Sequence, residues 1–137
     1  MRIVRQHAAQ WRVSKIGVMG FSAGGLLAIY LGSDFDAAIR PDFVAGIYPA
    51  TSRSWEQVPA NAPPLFMAVA ADDYMPQSLH AFDVWNKAKL PVELHIYAKG
   101  GHGFGLRKQG LPVDSWTDRF VDWLKWLDVP LSAFPVR

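Results

Sequence analysis

Apolar and polar positions along the chain change period several times, and each change marks an element. Residues 2 to 11 place Ile3, Val4, Ala8 and Trp11 at helical spacing with Arg5, Gln6 and Gln10 on other faces, which predicts an opening amphipathic helix. Lys15 to Gly20 (KIGVMG) reads as a short apolar strand, and Ala23 to Leu31 (AGGLLAIYL) as a helix entered after an abrupt turn at Phe21 and Ser22. Phe43 to Tyr48 and Leu65 to Ala70 are near-continuous apolar runs bounded by proline, the pattern of strands covered on both faces of a parallel sheet; Pro49 to Pro64 between them is a long loop. Gln77 to Lys89 carries Leu79, Phe82, Trp85 and Ala88 on one helical stripe that stops before Pro91. Val92 to Tyr97 alternates, with Glu93, His95 and Tyr97 on a partly wet face, and is expected at a sheet edge. A glycine-rich loop, Gly100 to Gly110, leads to a last helix from about Asp114 to Leu127. Strands alternating with helices imply right-handed crossovers and a layered α/β fold with a mostly parallel four-stranded sheet flanked by helices.

Composition narrows the class without changing this picture. The 137 residues suit a single domain, 1–137, half of them hydrophobic and 19% charged, which excludes a disordered or collagen-like chain. The net charge of +2 comes from scattered basic residues, so neither nucleic acid nor a membrane is an expected partner. Absence of cysteine removes thiolate metal sites and thiol nucleophiles. No apolar run reaches the length of a membrane span, and residues 1 to 15 lack a secretory pattern, so a cytoplasmic location is expected.

Candidate chemistry centres on Gly20-Phe21-Ser22-Ala23-Gly24, a G-x-S-x-G placed between a strand and a helix. A serine on so sharp a turn needs small neighbours, because a side chain at either glycine is expected to collide with backbone. The Ala23 amide would sit at a helix N-terminus, where an N–H can stabilise a developing oxyanion. A serine hydroxyl requires a general base and a group to orient it. Asp72 and Asp73 follow the strand LFMAVA, and His102 lies in the loop GGHGFG after the last strand. The order Ser, Asp, His is that of α/β-hydrolases, in which residues just past parallel strands gather at one sheet edge. His7, His80 and His95 have structural or surface roles as the plainer reading, and no histidine–carboxylate spacing supports a metal. Trp55, Tyr74, Met75 and Phe104 are candidates for an apolar acyl pocket, with core capping an equal alternative.

The segments IGVMGFSAGG, AADD and PVELHIYAKGGHGFGL resemble the C-terminal part of a small α/β-hydrolase, in the acetyl-esterase and acetyl-xylan-esterase group. The resemblance implies a serine carboxylesterase for short-acyl esters, without cofactor, in which Ser22 is the nucleophile and His102 the base. It favours Asp73 as the triad acid, with Asp72 as the alternative. Other readings are a prolyl-oligopeptidase-like peptidase and an inactive truncated hydrolase acting as a binding or oligomerisation module. Full-length members of the family carry further strands before the elbow and an HGGG-like loop that supplies a second oxyanion donor. Here the His102-Gly103 pair lies downstream and cannot take that part. A strand edge at Lys15 to Gly20 would thereby be left open, and a homo-oligomer covering it is expected.

Overall fold

The computed structural model describes residues 1–50 and 56–131. Helix α1 (Arg2–His7) leads to strand β1 (Gly17–Phe21) and helix α2 (Ala23–Ser33), followed by β2 (Phe43–Ile47) and β3 (Leu65–Ala70). Helix α3 (Pro76–Lys87), β4 (Val92–Tyr97), a 3-10 turn (Pro112–Ser115) and α4 (Trp116–Trp126) complete the order. The four strands form one parallel sheet in the order β1-β2-β3-β4, each paired with the next in sequence.

Alternation along the strands divides the core into two layers. Ala45 and Ile47 of β2 with Phe66, Ala68 and Ala70 of β3 face Trp116, Trp123 and Leu124 of α4. Val44 with Leu65 and Met67 packs on the other side against Ala28 and Ile29 of α2 and Ala81, Val84 and Trp85 of α3. All six residues of β3 are buried, which explains the unbroken apolar run LFMAVA. Trp85 is fully enclosed, and its indole N–H donates to the Pro63 carbonyl at 2.9 Å, which satisfies the one polar atom that its burial would otherwise strand.

The observed elements depart from the sequence pattern at the first helix and at β1. The first helix ends at His7, and the chain then turns through Arg12 at a φ of 55°. No residue of α1 is buried; it is held by Arg2 to Asp36 and Arg5 to Asp42, both 3.0 Å. Strand β1 starts two residues later and ends one residue later than KIGVMG suggested, so it reaches Phe21 and the turn shrinks to Ser22. The face of β4 expected to be partly wet is half-buried: Tyr97 packs on the α4 layer, the His95 ring lies tilted at 5.4 Å from Phe66, and Glu93 meets His95 at 2.6 Å. Helix α3 closes where Lys89 takes a φ of 59° and Leu90 N–H reaches the Trp85 carbonyl, just ahead of Pro91.

Both β1 and β4 are sheet edges. Beside β1 lies an apolar groove of about 610 Å³, lined among others by Val13, Met19, Phe43, Phe120, Leu124 and Val129. Among the described residues, no helix is long and apolar enough to cross a membrane.

Candidate active site

Ser22 alone forms the turn between β1 and α2, with φ 53° and ψ −122°. Such a conformation costs a non-glycine residue about 1–3 kcal/mol and persists only when its surroundings fix it. Three backbone bonds do so: Ser22 N–H donates to the Ile47 carbonyl at 3.0 Å, and its own carbonyl accepts from Leu26 and Ala50, each at 3.1 Å. The strained residue is thus tied to its own helix and to the end of the neighbouring strand. The small-residue requirement falls differently from the sequence expectation. A Cβ on Gly20 would lie 2.0 Å from the Gly24 carbonyl oxygen, and one on Gly25 would press on Gly20 and Ile47 at 3.1 and 3.2 Å. Gly24 has open space, so the tight pair is Gly20 and Gly25.

His102 follows β4 on a loop in which Gly101 and Gly103, on either side of it, have φ values of 64° and 79°. These left-handed positions swing the imidazole back over the sheet edge toward Ser22. Its Nε2 is 2.7 Å from Ser22 Oγ, and its Nδ1 is 2.8 Å from Asp73 Oδ2. Asp73 stands in the turn after β3, its N–H bonded to the Ala70 carbonyl at 3.1 Å. With the Nδ1 proton donated to Asp73, Nε2 keeps its lone pair and accepts the serine hydroxyl proton. That arrangement can withdraw a proton from Ser22 as the oxygen attacks a carbonyl. The Asp73 side chain is 15% exposed and that of His102 47%, so the line runs from a sheltered carboxylate to an open imidazole.

The neighbouring Asp72 does not contact the imidazole; its Oδ1 accepts from the Gly100 and Gly101 amides at 3.1 and 2.9 Å. Ala23 is the first residue of α2, where amides have no partner within the helix, and its N–H borders the serine.

Of the proposed pocket residues, Tyr74 is 65% exposed and Met75 caps the start of α3. Phe104 takes the second of its two expected places: it is 1% exposed and packs among Tyr48 and Trp116 in the core, so it anchors the loop. Trp55 lies outside the described residues. Sequence reasoning missed Tyr48, which it took as the last strand residue. Tyr48 has a φ of 38°, is buried, and sets its ring edge-on to His102 at 5.1 Å. Burial pushes its phenol above the ordinary value, partly offset by the Gly105 amide that bonds the hydroxyl. The signal available was its position at the carboxyl end of β2, the same edge that carries Ser22 and Asp73. Among the described residues no cluster of three or more histidine, aspartate or glutamate side chains is arranged to hold a metal.

Solved structures share this arrangement of strands and helices. MGS-M1, an α/β hydrolase from a Medee basin deep-sea metagenome library, is 30% identical with a TM-score of 0.79, over 92% of this chain and 61% of that one. The acetyl ester-xyloside bifunctional hydrolase of Caldicellulosiruptor lactoaceticus is 26% identical with a TM-score of 0.80, over 93% and 63%. Esterase Est2 of Thermogutta terrifontis, at 19% identity and a TM-score of 0.78 over 98% and 63%, shares the fold. The chain therefore spans somewhat over three fifths of the length of each. No curated protein sequence matches it. Residues 3–127 match the dienelactone hydrolase family, within the α/β-hydrolase superfamily, and the chain belongs to that family.

Proposed function

We propose that this chain is a serine carboxylesterase acting on short-acyl, acetyl-type esters. The observation that carries the reading is the unbroken line Ser22 Oγ, His102 Nε2, His102 Nδ1, Asp73 Oδ2, with links of 2.7 and 2.8 Å. His102 takes the Ser22 proton as the oxygen bonds to the ester carbonyl, and Asp73 holds the imidazole in the correct tautomer and stabilises its charged form. The Ala23 amide donates to the oxyanion. Collapse of the tetrahedral intermediate breaks the bond to the alkoxy oxygen, which leaves with the proton from His102. Water, deprotonated in turn by His102, then releases the acid from the acyl-serine. The short-acyl preference is supported by the acetyl ester activity named for the Caldicellulosiruptor hydrolase.

Turnover of p-nitrophenyl acetate by the chain, compared with Ser22→Ala and His102→Ala, tests the proposal. We expect losses on the order of 10³-fold or more in both variants. Equal rates in all three would overturn it. Separate Asp72→Asn and Asp73→Asn variants assign the acid, with collapse expected only for Asp73→Asn.

The proposal includes a second copy of this chain against the open edge of β1, where Met19 is 46% exposed beside the apolar groove. Edge strands left bare in this way recruit a further strand. Light scattering at micromolar concentration should give a dimer or larger species, dispersed by Met19→Lys. A strictly monomeric, active species would remove this part.

A further inference from the structure

Two consecutive carboxylates leave the end of β3, and both engage the His102 loop in different ways. Asp73 meets the imidazole, whereas Asp72 Oδ1 accepts from the backbone amides of Gly100 and Gly101, the two residues directly before His102. This stretch is the most permissive backbone in the site, since glycine loses more freedom on ordering than any other residue and Gly101 sits at a φ of 64°. Something must hold it if the imidazole is to keep one position. The far side of the loop is fastened independently: the Trp116 indole N–H donates to the Gly105 carbonyl at 2.7 Å, and Phe104 is sunk in the core. On the near side, the Gln109 side-chain Nε2 donates to the Gly100 carbonyl at 3.2 Å, so Gly100 is gripped through both its N–H and its C=O.

We propose that Asp72 is a positioning residue, which fixes the main chain before His102 against the same dipeptide whose second carboxylate orients the imidazole. The inference rests on the esterase reading above and adds to it a reason for the paired aspartates. Because Asp72 and Asp73 are adjacent, any shift of the β3 end carries the loop backbone and the imidazole partner together, and the distance from Asp73 to His102 is preserved. A charged acceptor facing two consecutive amides makes a stronger anchor than a neutral one, yet an amide side chain in its place still offers an acceptor oxygen.

The test uses the full chain and reads backbone exchange and kinetics side by side. In the native protein the Gly100 and Gly101 amides should exchange with deuterium slowly, and Asp72→Ala should release them while leaving the amides of β3 protected. On p-nitrophenyl acetate, Asp72→Ala should lower kcat by about 10- to 100-fold with little change in KM, since misplacement of a catalytic group by about 1 Å costs about that much. Asp72→Asn should recover most of the lost rate; Asp73→Asn should not. Unprotected Gly100 and Gly101 amides in the native protein would overturn the proposal even if Asp72→Ala failed to fold. So would an unchanged kcat in Asp72→Ala, or an Asp72→Asn loss as deep as that of Asp73→Asn. Failure of the esterase reading is seen separately, as equal rates for the native chain and Ser22→Ala.

Discussion

The ring of Tyr48 meets that of His102 edge to face, with centroids 5.1 Å apart and planes inclined by 68°. Tyr48 also lies 4.6 Å from Phe104, so one aromatic ring separates the imidazole from the core. Substitution by phenylalanine keeps this wall and removes only the hydroxyl that takes the Gly105 amide. Tyr48→Phe is therefore expected to cost about 0.5–1.5 kcal/mol in denaturant unfolding and to leave turnover within about tenfold. Tyr48→Ala removes the ring and should cost about 3–5 kcal/mol. Identical stability of Tyr48→Phe and the native chain would show that the hydroxyl contributes nothing.

The two glycines of the G-x-S-x-G pentapeptide should respond in opposite directions to alanine. At Gly20, in β1, the added methyl would stand 2.0 Å from the Gly24 carbonyl oxygen of α2, and the two elements cannot part without moving Ser22 between them. Gly20→Ala is expected to lose about 3 kcal/mol or more, or to prevent folding. Gly24 is an open position in the first turn of α2, and Gly24→Ala should stabilise the chain by up to about 1 kcal/mol through helix propensity. Urea titration of both variants checks the contrast.

Asp114 links acid stability to the loop that follows His102. Its carboxylate accepts from the amides of Gln109, Gly110 and Leu111. Partial desolvation acts to raise its pKa, but these donors, with Lys108, outweigh it and hold the carboxyl below its ordinary value. A carboxyl lowered in the folded state stabilises fully above its unfolded pKa of about 3.9 and loses that contribution as pH falls through the folded value. Asp114→Asn should lower the melting midpoint at neutral pH and flatten its decline in acid. Parallel acid limbs for the two proteins would contradict this.

Much of the fold is written in periodicity. β3 is legible because both faces are buried, and the strand–turn–helix at Ser22 because strand and helix patterns abut within a few residues. The meeting of Ser22, Asp73 and His102 at one edge follows from their positions after parallel strands. What periodicity could not separate was Asp72 from Asp73: adjacent side chains of one turn share every local signal, and only the path of the Gly100–Gly101 backbone distinguishes them. Pocket and core were equal readings of Phe104 for a related reason. A loop with four glycines reads as surface, yet its one large apolar residue is the plug that fastens it. Helix α2 shows little amphipathic contrast because its buried face is built of Gly25, Ala28, Ile29 and Gly32 while Leu27 is exposed. Close approach to the sheet, not hydrophobicity, selects that face.

The sequential strand order bears on how the chain acquires its chemistry during synthesis. Since β1 pairs with β2, and Ser22 is pinned by Ile47 and Ala50, the Ser22 turn needs no residue after Ala50 for these bonds. His102 arrives only after β4 has docked on β3, and its loop is fastened later still, by Trp116 of α4. A growing chain would therefore carry the strained Ser22 turn before β4 and α4 bring His102 to it, so that the turn is shaped ahead of its partner.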